Sequence, residues 1–547
     1  MTSASSSKPS FRYEALYPWG FFLIMGLGLG LRLAGLGRSI WMDEYFTIRI
    51  ISSRDMIAQL IIINFEPPLY FMLLKLWSSI GTQVAFLRFF SVILSLGTLT
   101  MLMLWMKYYS RLASLLAGFL FASLPFVVRY SQELRPYQLL LLGTAASFYF
   151  ASHIVNSPPK NPSGINIPKD KKDPRAVIHF GYYLGLAIGL VVTVFAHMIG
   201  VMVAASVGFF ICTQARFNIK KLDIKKLLIV FSFPALVFSY IYFFFLPAKP
   251  VAGSWSYPSI SIPLLVSSAQ TLMGRTGMSY GYTLLESGMG NLSGLMPLIM
   301  KLIVVVLVVI TLVVGKWRQT WSFLASALFY ELAIILYSIF FVPILLSQTL
   351  LPMLIPAIGF VALEISSIDQ KIFRRIAVIG IIILCVIYAA FWSNKQAYIP
   401  AEPWQTVAAF IRDNSKPDDM VIYFPPYGAG PTGYYLDRSA PAGKLLINFV
   451  AEGEPGPHMP FGDNSLQISI SDKNLLYKKI DEFAGQRTEP ESAYRIFLVV
   501  REEDPYVLQY GISYKGLVSD LEEKSASIPT YSEFDGLSVR IFQVQGR

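Results

Sequence analysis

Long apolar runs alternate with short polar segments over the first 393 residues of the chain, and the alternation stops after that point. A helix needs about 20 apolar residues to cross a bilayer, and several runs approach or exceed that length. The clearest are Phe89–Met106, Leu112–Val128, Leu227–Ala248 and Ile376–Trp392, and Trp19–Leu36 is a further candidate near the start. The pattern predicts a polytopic α-helical membrane protein.

Basic segments separate the apolar runs and predict the direction of each span. They are Lys107–Arg111, Lys160–Arg175, Arg216–Lys226, Lys316–Arg318 and Lys371–Arg375. Lys and Arg are enriched in cytoplasmic loops, so the chain must cross the membrane and return between these segments. We therefore predict about eleven spans in residues 18–393, after a cytoplasmic tail at residues 1–17. The shorter predicted spans are Tyr137–Ser152, Val177–Ala196, Met198–Thr213, Trp321–Phe341 and Gln348–Glu364.

This alternation predicts two long segments outside the cytoplasm, residues 37–88 and residues 247–294. In the first, Pro67–Ile80 is too short to span a bilayer and contains Lys75, which favours an interfacial or re-entrant helix. Residues 37–88 should therefore lie along the membrane surface. The second segment contains the aromatic stretch Ser254–Pro258, which fits either a lid over a site or an interfacial aromatic belt.

Residues 394–547 have the composition of a soluble domain. Apolar periodicity predicts short helices and strands here, at Trp404–Arg412 and Asn474–Phe483 (helices) and at Asp419–Phe424, Tyr494–Val500 and Leu537–Val544 (strands). The mixture predicts a small α/β domain. Because the last span leads outwards, we expect this domain to be extracytoplasmic.

Composition supports the membrane assignment and excludes several other classes. Of the 547 residues 54% are apolar and only 14% charged, against roughly 25% charged in soluble domains. The net charge of +11 lies mainly between the apolar runs, so it gives no indication of nucleic-acid binding. Cys212 and Cys385 both lie within apolar runs, which argues against a disulfide framework. No HExxH, CxxC or Walker motif is present.

The predicted topology brings unusual polar residues to the outer face of the membrane. The candidates are Asp43, Glu44, Glu66, Arg88, Arg129, Glu133, Arg135, Tyr137 and His197. Ionisable groups are costly at membrane depth and indicate a polar cavity or a functional site. The alternative is structural: Asp43 and Glu44 could pair with Arg88 or Arg135 only to hold loops together.

The chemistry of these groups fits transfer from a lipid phosphate. A carboxylate can take a proton from an acceptor hydroxyl, and arginine can stabilise a departing phosphate through paired contacts. A second carboxylate could orient the first or help it to hold a divalent cation, so Asp43 and Glu44 are also candidate metal ligands. The sequence leaves that choice open.

Five short segments together resemble the GT-C membrane glycosyltransferases, in particular the family 39-like group of protein O-mannosyltransferases and lipid A aminoarabinose transferases. They are Leu31–Leu36, Asp43–Glu44, Glu66–Tyr70, Phe86–Ser91 and Tyr130–Tyr137. Each segment alone is weak, but their order and their placement on one membrane face make a specific combination. The resemblance covers roughly residues 18–395.

The resemblance implies an inverting transferase that uses a polyprenyl-phosphate-linked sugar. It implies that Asp43 is the catalytic base, that Glu44 is its neighbour and that Arg88 assists through the donor phosphate. The chain departs from the family pattern in two places. Glu66 stands where a histidine commonly precedes the Pro-Pro pair, and Ser347–Thr349 stands where Arg-Tyr is frequent. Both departures bear on donor-phosphate contacts and on metal dependence.

The resemblance also implies partners: a polyprenyl-phosphate sugar donor, a lipid, protein or glycan acceptor, and the lipids of the inner membrane. Two other functions remain open at this stage. A transporter or flippase would need polar groups along a path through the bilayer and paired half-repeats. A non-catalytic assembly or sensor protein would use the soluble domain to bind partners, but it would leave the polar cluster unexplained.

Overall fold

The computed structural model describes most of the membrane part and the greater share of the C-terminal domain. The described ranges are 11–63, 66–156, 174–218, 222–245, most of 302–341, 344–394, 402–416, 419–424, 428–436, 446–450, 465–469, four positions between 478 and 485, 493–501, 511–534 and 537–544. The predicted loop at residues 247–294 and most of the predicted helix Asn474–Phe483 lie outside the described residues.

Helices make up the membrane part, as predicted. They are α1 (Phe11–Leu33), α2 (Met42–Ser52), α3 (Met56–Ile63), α4 (Leu69–Ser78), α5 (Val84–Tyr109), α6 (Arg111–Ser123), α7 (Pro125–Tyr130), α8 (Tyr137–Asn156), α9 (Pro174–Ala196), α10 (Gly200–Gln214), α11 (Ile224–Phe245), α12 (Trp317–Phe340), α13 (Leu354–Ser367) and α14 (Lys371–Asn394), with a 3₁₀-helix at Ser347–Met353 before α13. The described positions from 302 to 314 are also helical.

Six of these helices contain segments long and apolar enough to cross a bilayer. They are Leu16–Leu33, Val84–Tyr109, Tyr137–Asn156, Thr320–Phe340, Ser347–Ser367 and Lys371–Ala390. Large apolar side chains on them point away from the protein, such as Leu23 and Phe340, which are more than 70% exposed. Such faces suit lipid. The predicted multi-pass helical class is confirmed, whereas the count of eleven spans stays a prediction.

The centre of the bundle is packed with aromatic rings around Trp105 of α5. Its indole stacks on Phe148 of α8 and Phe323 of α12, with ring centroids 5.2 and 5.0 Å apart. Its Nε1–H donates to Ser152 Oγ at 2.7 Å, so the buried indole has no unpaired donor. A buried aromatic group with a satisfied polar atom fixes the positions of three helices relative to one another.

The predicted span Leu112–Val128 is not one continuous helix. Helix α6 ends at Ser123 and α7 starts at Pro125. Proline has no N–H group to donate to the carbonyl four residues earlier, and its ring clashes with that carbonyl. The chain therefore turns at Leu124, and the short α7 leads into a buried loop, residues 131–136, that belongs to the candidate site.

Short helices α2, α3 and α4 make up most of the described part of the segment 37–88, which the sequence predicts to be outside the cytoplasm. The expectation that Pro67–Ile80 is too short to cross the bilayer agrees with α4, which has 10 residues. Lys75, near the end of α4, donates from Nζ to the carbonyl of Ser53 at 2.6 Å. This bond connects α4 to the turn after α2.

The C-terminal domain is built on a six-stranded sheet in the order β3-β2-β1-β4-β6-β5. The strands are β1 (Met420–Phe424), β2 (Leu446–Val450), β3 (Ser465–Ser469), β4 (Tyr494–Val500), β5 (Thr530–Phe534) and β6 (Leu537–Val544), and the helices are α15 (Trp404–Asn414), α16 (Ala429–Tyr435) and α17 (Gly511–Lys524). Strands β1 to β4 are mutually parallel, and β6 runs antiparallel to β4 and β5. The predicted α/β class is confirmed.

Candidate functional site

A buried ion pair between Arg88 and Glu44 connects the segment after α1 to the helix bundle. Arg88 is near the start of α5 and Glu44 is in the first turn of α2, and both are almost fully buried. The guanidinium donates from Nε to Glu44 Oε1 at 2.8 Å and from Nη2 to Oε2 at 2.5 Å. Its remaining hydrogens bond the carbonyls of Leu36, Arg38 and Ser39 at 2.6–3.0 Å. Arginine has five N–H donors, and all five are used.

Both oxygens of the Glu44 carboxylate accept two hydrogen bonds each. Its Oε1 also accepts from the backbone N–H of Leu134 at 3.1 Å, and its Oε2 also accepts from that of Trp41 at 3.4 Å. Each carboxylate oxygen has two lone-pair positions, so Glu44 has little remaining capacity to accept a further hydrogen bond or to bind a cation. The geometry favours a positioning role for Glu44 and Arg88 over their predicted catalytic and substrate-binding roles.

Asp43, Glu66 and Arg135 form a second cluster in which polar atoms remain available. Arg135 Nη2 lies 2.7 Å from Glu66 Oε1 and 3.6 Å from Asp43 Oδ2. Arg135 is 7% exposed, yet its Nε and Nη1 find no hydrogen-bond partner in the described part of the chain. Glu66 Oε2 is likewise buried without one. The Asp43 carboxylate is 25% exposed and is the more accessible of the two acids.

Burial in this cluster raises the pKa of both acids. Burial raises the pKa of Glu66 to about 7, with Arg135 opposing and Asp43 reinforcing the shift. Burial also raises the pKa of Asp43, against the attraction of Arg135 and with a smaller contribution from Glu44. A raised pKa makes a carboxylate a stronger proton acceptor, which is the property that a general base needs.

A third cluster lies beside the first and contains Arg129, Glu133 and Arg38. Arg129 Nε donates to Glu133 Oε1 at 3.2 Å, while Glu133 Oε2 and Arg38 Nη1 have no partner among the described residues. Burial and the charge of Arg88 lower the pKa of Arg38 to about 9, against the attraction of Glu44 and Glu133. Sequence reasoning missed Arg38, although its position between the first predicted span and the Asp43–Glu44 pair was a signal available from the topology.

The two remaining predicted residues, Tyr137 and His197, meet at the edge of the Arg135 cluster. Their rings stack with centroids 5.4 Å apart, and the Arg135 guanidinium lies 5.9 Å from the Tyr137 ring centroid. His197 Nδ1 accepts from the backbone N–H of Ile199 at 3.2 Å. Burial and Arg135 lower the pKa of His197 to about 3, so the imidazole is neutral and cannot serve as a cation for phosphate at ordinary pH.

A buried arginine in α1 connects this helix to α5 and to the end of α6. Arg32 is fully buried and donates to Ser95 Oγ at 2.9 Å and to the carbonyls of Gly28, Phe121 and Ala122 at 3.0–3.3 Å. Sequence reasoning did not select Arg32 as a site residue. Its position inside an apolar run was the signal that could have found it, since such charges are rare and need partners.

Hydrogen bonds from the side-chain amide of Gln132 connect the loop 131–136 to the end of α1. Gln132 Nε2 donates to the carbonyls of Leu31, Arg32 and Ala34 at 2.5–3.1 Å. The last carbonyls of a helix have no partner within the helix. Gln132 donates hydrogen bonds to these carbonyls at the end of α1 and so stabilises the end of this helix.

Comparisons with known proteins agree with this architecture. No family model matches the chain, and no curated protein does so. Two crystal structures of ArnT from Cupriavidus metallidurans match over almost the full length of both chains. The apo structure is 10% identical, covers 96% of this chain and 98% of its own, and has a TM-score of 0.55. The structure bound to undecaprenyl phosphate is 10% identical, covers 97% and 98%, and has a TM-score of 0.52.

This chain has the GT-C fold. At 10% identity the likeness concerns the fold, including the C-terminal domain, because the match extends over 96% of the chain. The predicted fold resemblance is confirmed. The roles of the individual residues in the GT-C bundle stay predictions.

The structure also bears on the predicted metal ligands of the GT-C bundle. Among the residues that the structure describes, no group of three or more His, Cys, Asp or Glu side chains is arranged to hold a metal ion. Both oxygens of Glu44 accept hydrogen bonds from Arg88, and the guanidinium of Arg135 lies beside Asp43. The donor set around Asp43 and Glu44 is therefore compensated by arginine and does not fit a divalent cation.

The nine predicted residues thus meet at one end of the GT-C bundle. They differ in how many of their polar atoms already have a hydrogen-bond partner. All the polar side-chain atoms of Glu44 and Arg88 have partners, whereas Arg129 and Glu133 are only partly paired. The stacked rings of Tyr137 and His197 lie at the edge of the Arg135 cluster. Asp43 is accessible and Arg135 retains free donors.

Proposed function

We propose that this protein transfers a glycosyl group from a polyprenyl-phosphate-linked sugar to an acceptor outside the cytoplasm. The observation that carries the proposal is the pairing of an accessible carboxylate, Asp43, with a buried guanidinium that keeps two unpaired nitrogens, Arg135. One group can accept a proton and the other can bind a phosphate, 3.6 Å apart. The protein would then lie in the inner membrane, with this site and the C-terminal domain on its outer face.

In the proposed reaction Arg135 binds the phosphate of the donor. Its unpaired Nε and Nη1 supply N–H groups for phosphate oxygens, and hydrogen bonds between charged partners are about twice as strong as neutral ones. The buried Glu66 holds the guanidinium in place through Nη2. As the bond between the sugar and the phosphate breaks, the leaving phosphate gains charge, and Arg135 stabilises that charge.

Asp43 acts as the general base. The acceptor oxygen forms a bond to the anomeric carbon, the bond from that carbon to the phosphate oxygen breaks, and the proton of the acceptor moves to the Asp43 carboxylate. General-base help of this kind contributes about 10²–10⁴ in rate. A single displacement at the anomeric carbon inverts its configuration, so we expect an inverting transferase.

The supporting comparison is the GT-C fold shared with a structure of ArnT bound to undecaprenyl phosphate. A polyprenyl phosphate as donor carrier for the present chain is consistent with that fold and with the free donors of Arg135. The sugar and the acceptor are not specified by the described residues. The acceptor can be a lipid, a protein or a glycan.

Transport of a lipid-linked substrate is the competing function, and one assay separates the two. Purified protein in liposomes is incubated with a panel of polyprenyl-phosphate sugars and candidate acceptors, and the acceptor mass and the free polyprenyl phosphate are measured. A transferase adds one glycosyl mass to an acceptor and releases one polyprenyl phosphate. Movement of the intact donor across the liposome membrane, with no change in any acceptor mass, would contradict the proposal and favour transport.

A further inference from the structure

The C-terminal domain is in direct contact with the loop that carries Asp43. The hydroxyl of Tyr435, at the end of α16, accepts from the backbone N–H of Ile40 at 2.8 Å. The backbone N–H of Gln405 donates to Ser39 Oγ at 3.3 Å. The Tyr45 ring packs so closely on Gly430 that a Cβ there would lie 2.5 Å from a ring carbon. The two parts therefore meet on both sides of Asp43.

Glu402 makes the most informative of these contacts. Its Oε2 accepts from the backbone N–H of Met42, the first residue of α2, at 3.3 Å, and from Trp404 Nε1 at 2.6 Å. Its Oε1 accepts from Arg501 Nη1 at 2.7 Å. Glu402 is 7% exposed. The first N–H groups of a helix have no partner within the helix, so a residue of the C-terminal domain caps the helix that carries Asp43.

The side of the domain that docks here is the one expected to be functional. Strands β1 and β4 are parallel neighbours, and both end at the docking face: Gly430 and Tyr435 follow β1, and Arg501 follows β4 directly. In open α/β sheets, ligands bind beyond the carboxyl ends of the strands, at a switch in strand order. In this protein that edge receives the chain segment around Asp43.

The same segment is held from the opposite side by the bundle. Arg88 bonds the carbonyls of Leu36, Arg38 and Ser39, and it pairs with Glu44. The segment Leu36–Glu44 is thus fixed between a guanidinium of the membrane part and a carboxylate of the C-terminal domain. Asp43 is placed by both.

We propose that Glu402 is a positioning residue for Asp43, so that the transferase site is complete only when the C-terminal domain is docked on α2. This inference rests on the proposed function for its kinetic consequence, whereas the docking itself is a structural claim. Removing the cap frees the first turn of α2 and displaces the Asp43 carboxylate from its acceptor. Binding of the donor through Arg135 does not depend on this contact.

The test compares three variants of the full chain in lipid nanodiscs. Glu402→Ala removes the cap and the ion pair with Arg501. Glu402→Gln keeps an oxygen in place for Met42 and Trp404. Asp419→Asn is the matched control, because Asp419 is a buried carboxylate of the same domain that pairs with Arg495 at 2.8 Å. It precedes β1 and lies at the opposite edge of the sheet.

Two quantities are measured, the amide hydrogen exchange of the peptide containing Met42 and the kinetics of transfer. For Glu402→Ala we expect exchange about fivefold faster, as for loss of a helix cap. We expect kcat to fall about 10²-fold, the effect of a displacement near 1 Å, with an unchanged KM for the donor. Glu402→Gln should stay within about threefold of wild type in both, since the cap is retained. Asp419→Asn should leave both at wild-type values.

Each contrary result has a defined meaning. Wild-type exchange at Met42 in Glu402→Ala overturns the inference, whatever the activity. Equal losses in Glu402→Ala and Asp419→Asn also overturn it, because the effect would then be general destabilisation of the domain. If the wild type transfers no sugar, the proposed function is wrong. The exchange measurement still decides whether the C-terminal domain caps α2.

Discussion

Asp43 and Glu44 are neighbours in sequence but differ in burial and in hydrogen bonding. Glu44 is fully buried, and both its oxygens bond Arg88 and backbone N–H groups. Asp43 is 25% exposed and faces the partly unpaired Arg135. Consecutive residues of a helix point in directions about 100° apart, because 3.6 residues complete one turn. One carboxylate is therefore available for chemistry, and the other holds the structure.

The buried ion pair between Arg88 and Glu44 should contribute to the stability of the folded protein. Arg88→Met leaves the Glu44 carboxylate buried and unpaired, and breaking a buried pair in this way costs about 3–5 kcal/mol. The free energy of unfolding in detergent should fall by that order. In the double variant Glu44→Gln with Arg88→Met, the loss should be smaller than the sum of the two single losses, because the residues interact. Additive losses would mean that the two side chains are not coupled.

The charge of Asp43 predicts a shift in the titration of Glu66. Burial raises the pKa of Glu66 to about 7, with Arg135 opposing and Asp43 reinforcing the shift. Asp43→Asn removes the reinforcing charge and leaves Arg135 to favour the Glu66 carboxylate, so the pKa of Glu66 should fall. Infrared difference spectroscopy of the carboxyl C=O stretch over a series of pH values measures this pKa. An unmoved or higher pKa of Glu66 in Asp43→Asn would contradict this coupling.

The same shift has a consequence for stability. A carboxyl whose pKa is raised by folding stabilises the folded state fully below its ordinary value of 4.5, and this contribution is lost as the pH rises through about 7. Wild type should therefore lose stability over that window by more than Glu66→Gln does. Thermal unfolding at a series of pH values measures the difference.

The residue scale also shows how far sequence could reach. The sequence predicted that carboxylates and arginines from distant segments meet, and they do so in the structure; their placement on the outer face of the membrane stays a prediction. The sequence could not separate Asp43 from Glu44, because the difference depends on Arg88, which lies 44 positions away, and on the backbone of residue 134. Pairing of this kind is decided by tertiary contacts, which leave no mark in local sequence.

At the scale of elements, the break after α6 shows how an irregularity is stabilised. Pro125 cannot donate to the carbonyl of Phe121, and Arg32 Nη2 donates to that carbonyl instead, at 3.3 Å. Unsatisfied backbone groups within a membrane cost several kcal/mol each. Arg32 in α1 therefore supplies the hydrogen bond to Phe121 that Pro125, at the start of α7, cannot make.

The arrangement predicts the effect of removing Arg32. Arg32→Met leaves the carbonyls of Phe121 and Ala122 without this donor, and hydrogen bonds to charged groups are worth about 1.5–3 kcal/mol each. The unfolding temperature in detergent should fall markedly. Pro125→Ala restores an N–H group for Phe121 and should recover part of the loss in the Arg32→Met background. No recovery would show that the break at Pro125 is not what makes Arg32 necessary.

Elements of the C-terminal domain were predicted unevenly, for physical reasons. Strands β4 and β6 and helix α15 have clear apolar periodicity, and the sequence placed them within two residues of their observed bounds. Strand β5, at the edge of the sheet, contains mostly polar residues and is largely exposed. An edge strand is determined by its pairing with a neighbour, which here is β6, and the apolar pattern does not reveal it.

At the scale of the whole molecule, helix α2 and the C-terminal domain are in contact at one end of the bundle. Glu402 and Tyr435 contact the segment around Asp43. Between this domain and Asp369 stands α14, which has the length and hydropathy of a membrane span. Asp55 and Asp413 should consequently lie on one side of the membrane, and Asp369 on the other.

Cysteine labelling tests this topology. In a background of Cys212→Ser and Cys385→Ala, single substitutions Asp55→Cys, Asp413→Cys and Asp369→Cys are treated with a membrane-impermeant maleimide on intact cells. The exposure of all three side chains permits labelling. Positions 55 and 413 should react from outside, and position 369 only after the membrane is opened. Opposite labelling of 55 and 413 would separate Asp43 from its domain and refute the proposed assembly.

The most direct measurement is single-turnover transfer by wild type and Asp43→Asn, with a labelled polyprenyl-phosphate sugar identified by the acceptor assay. Asp55→Asn, an exposed carboxylate of the same outer segment, is the control and should behave as wild type. Asp43→Asn should bind the donor with unchanged Kd and form product at least about 10²-fold more slowly, because the proton acceptor is gone while Arg135 remains. Product formation by Asp43→Asn at the wild-type rate would contradict the assignment of Asp43 as the base.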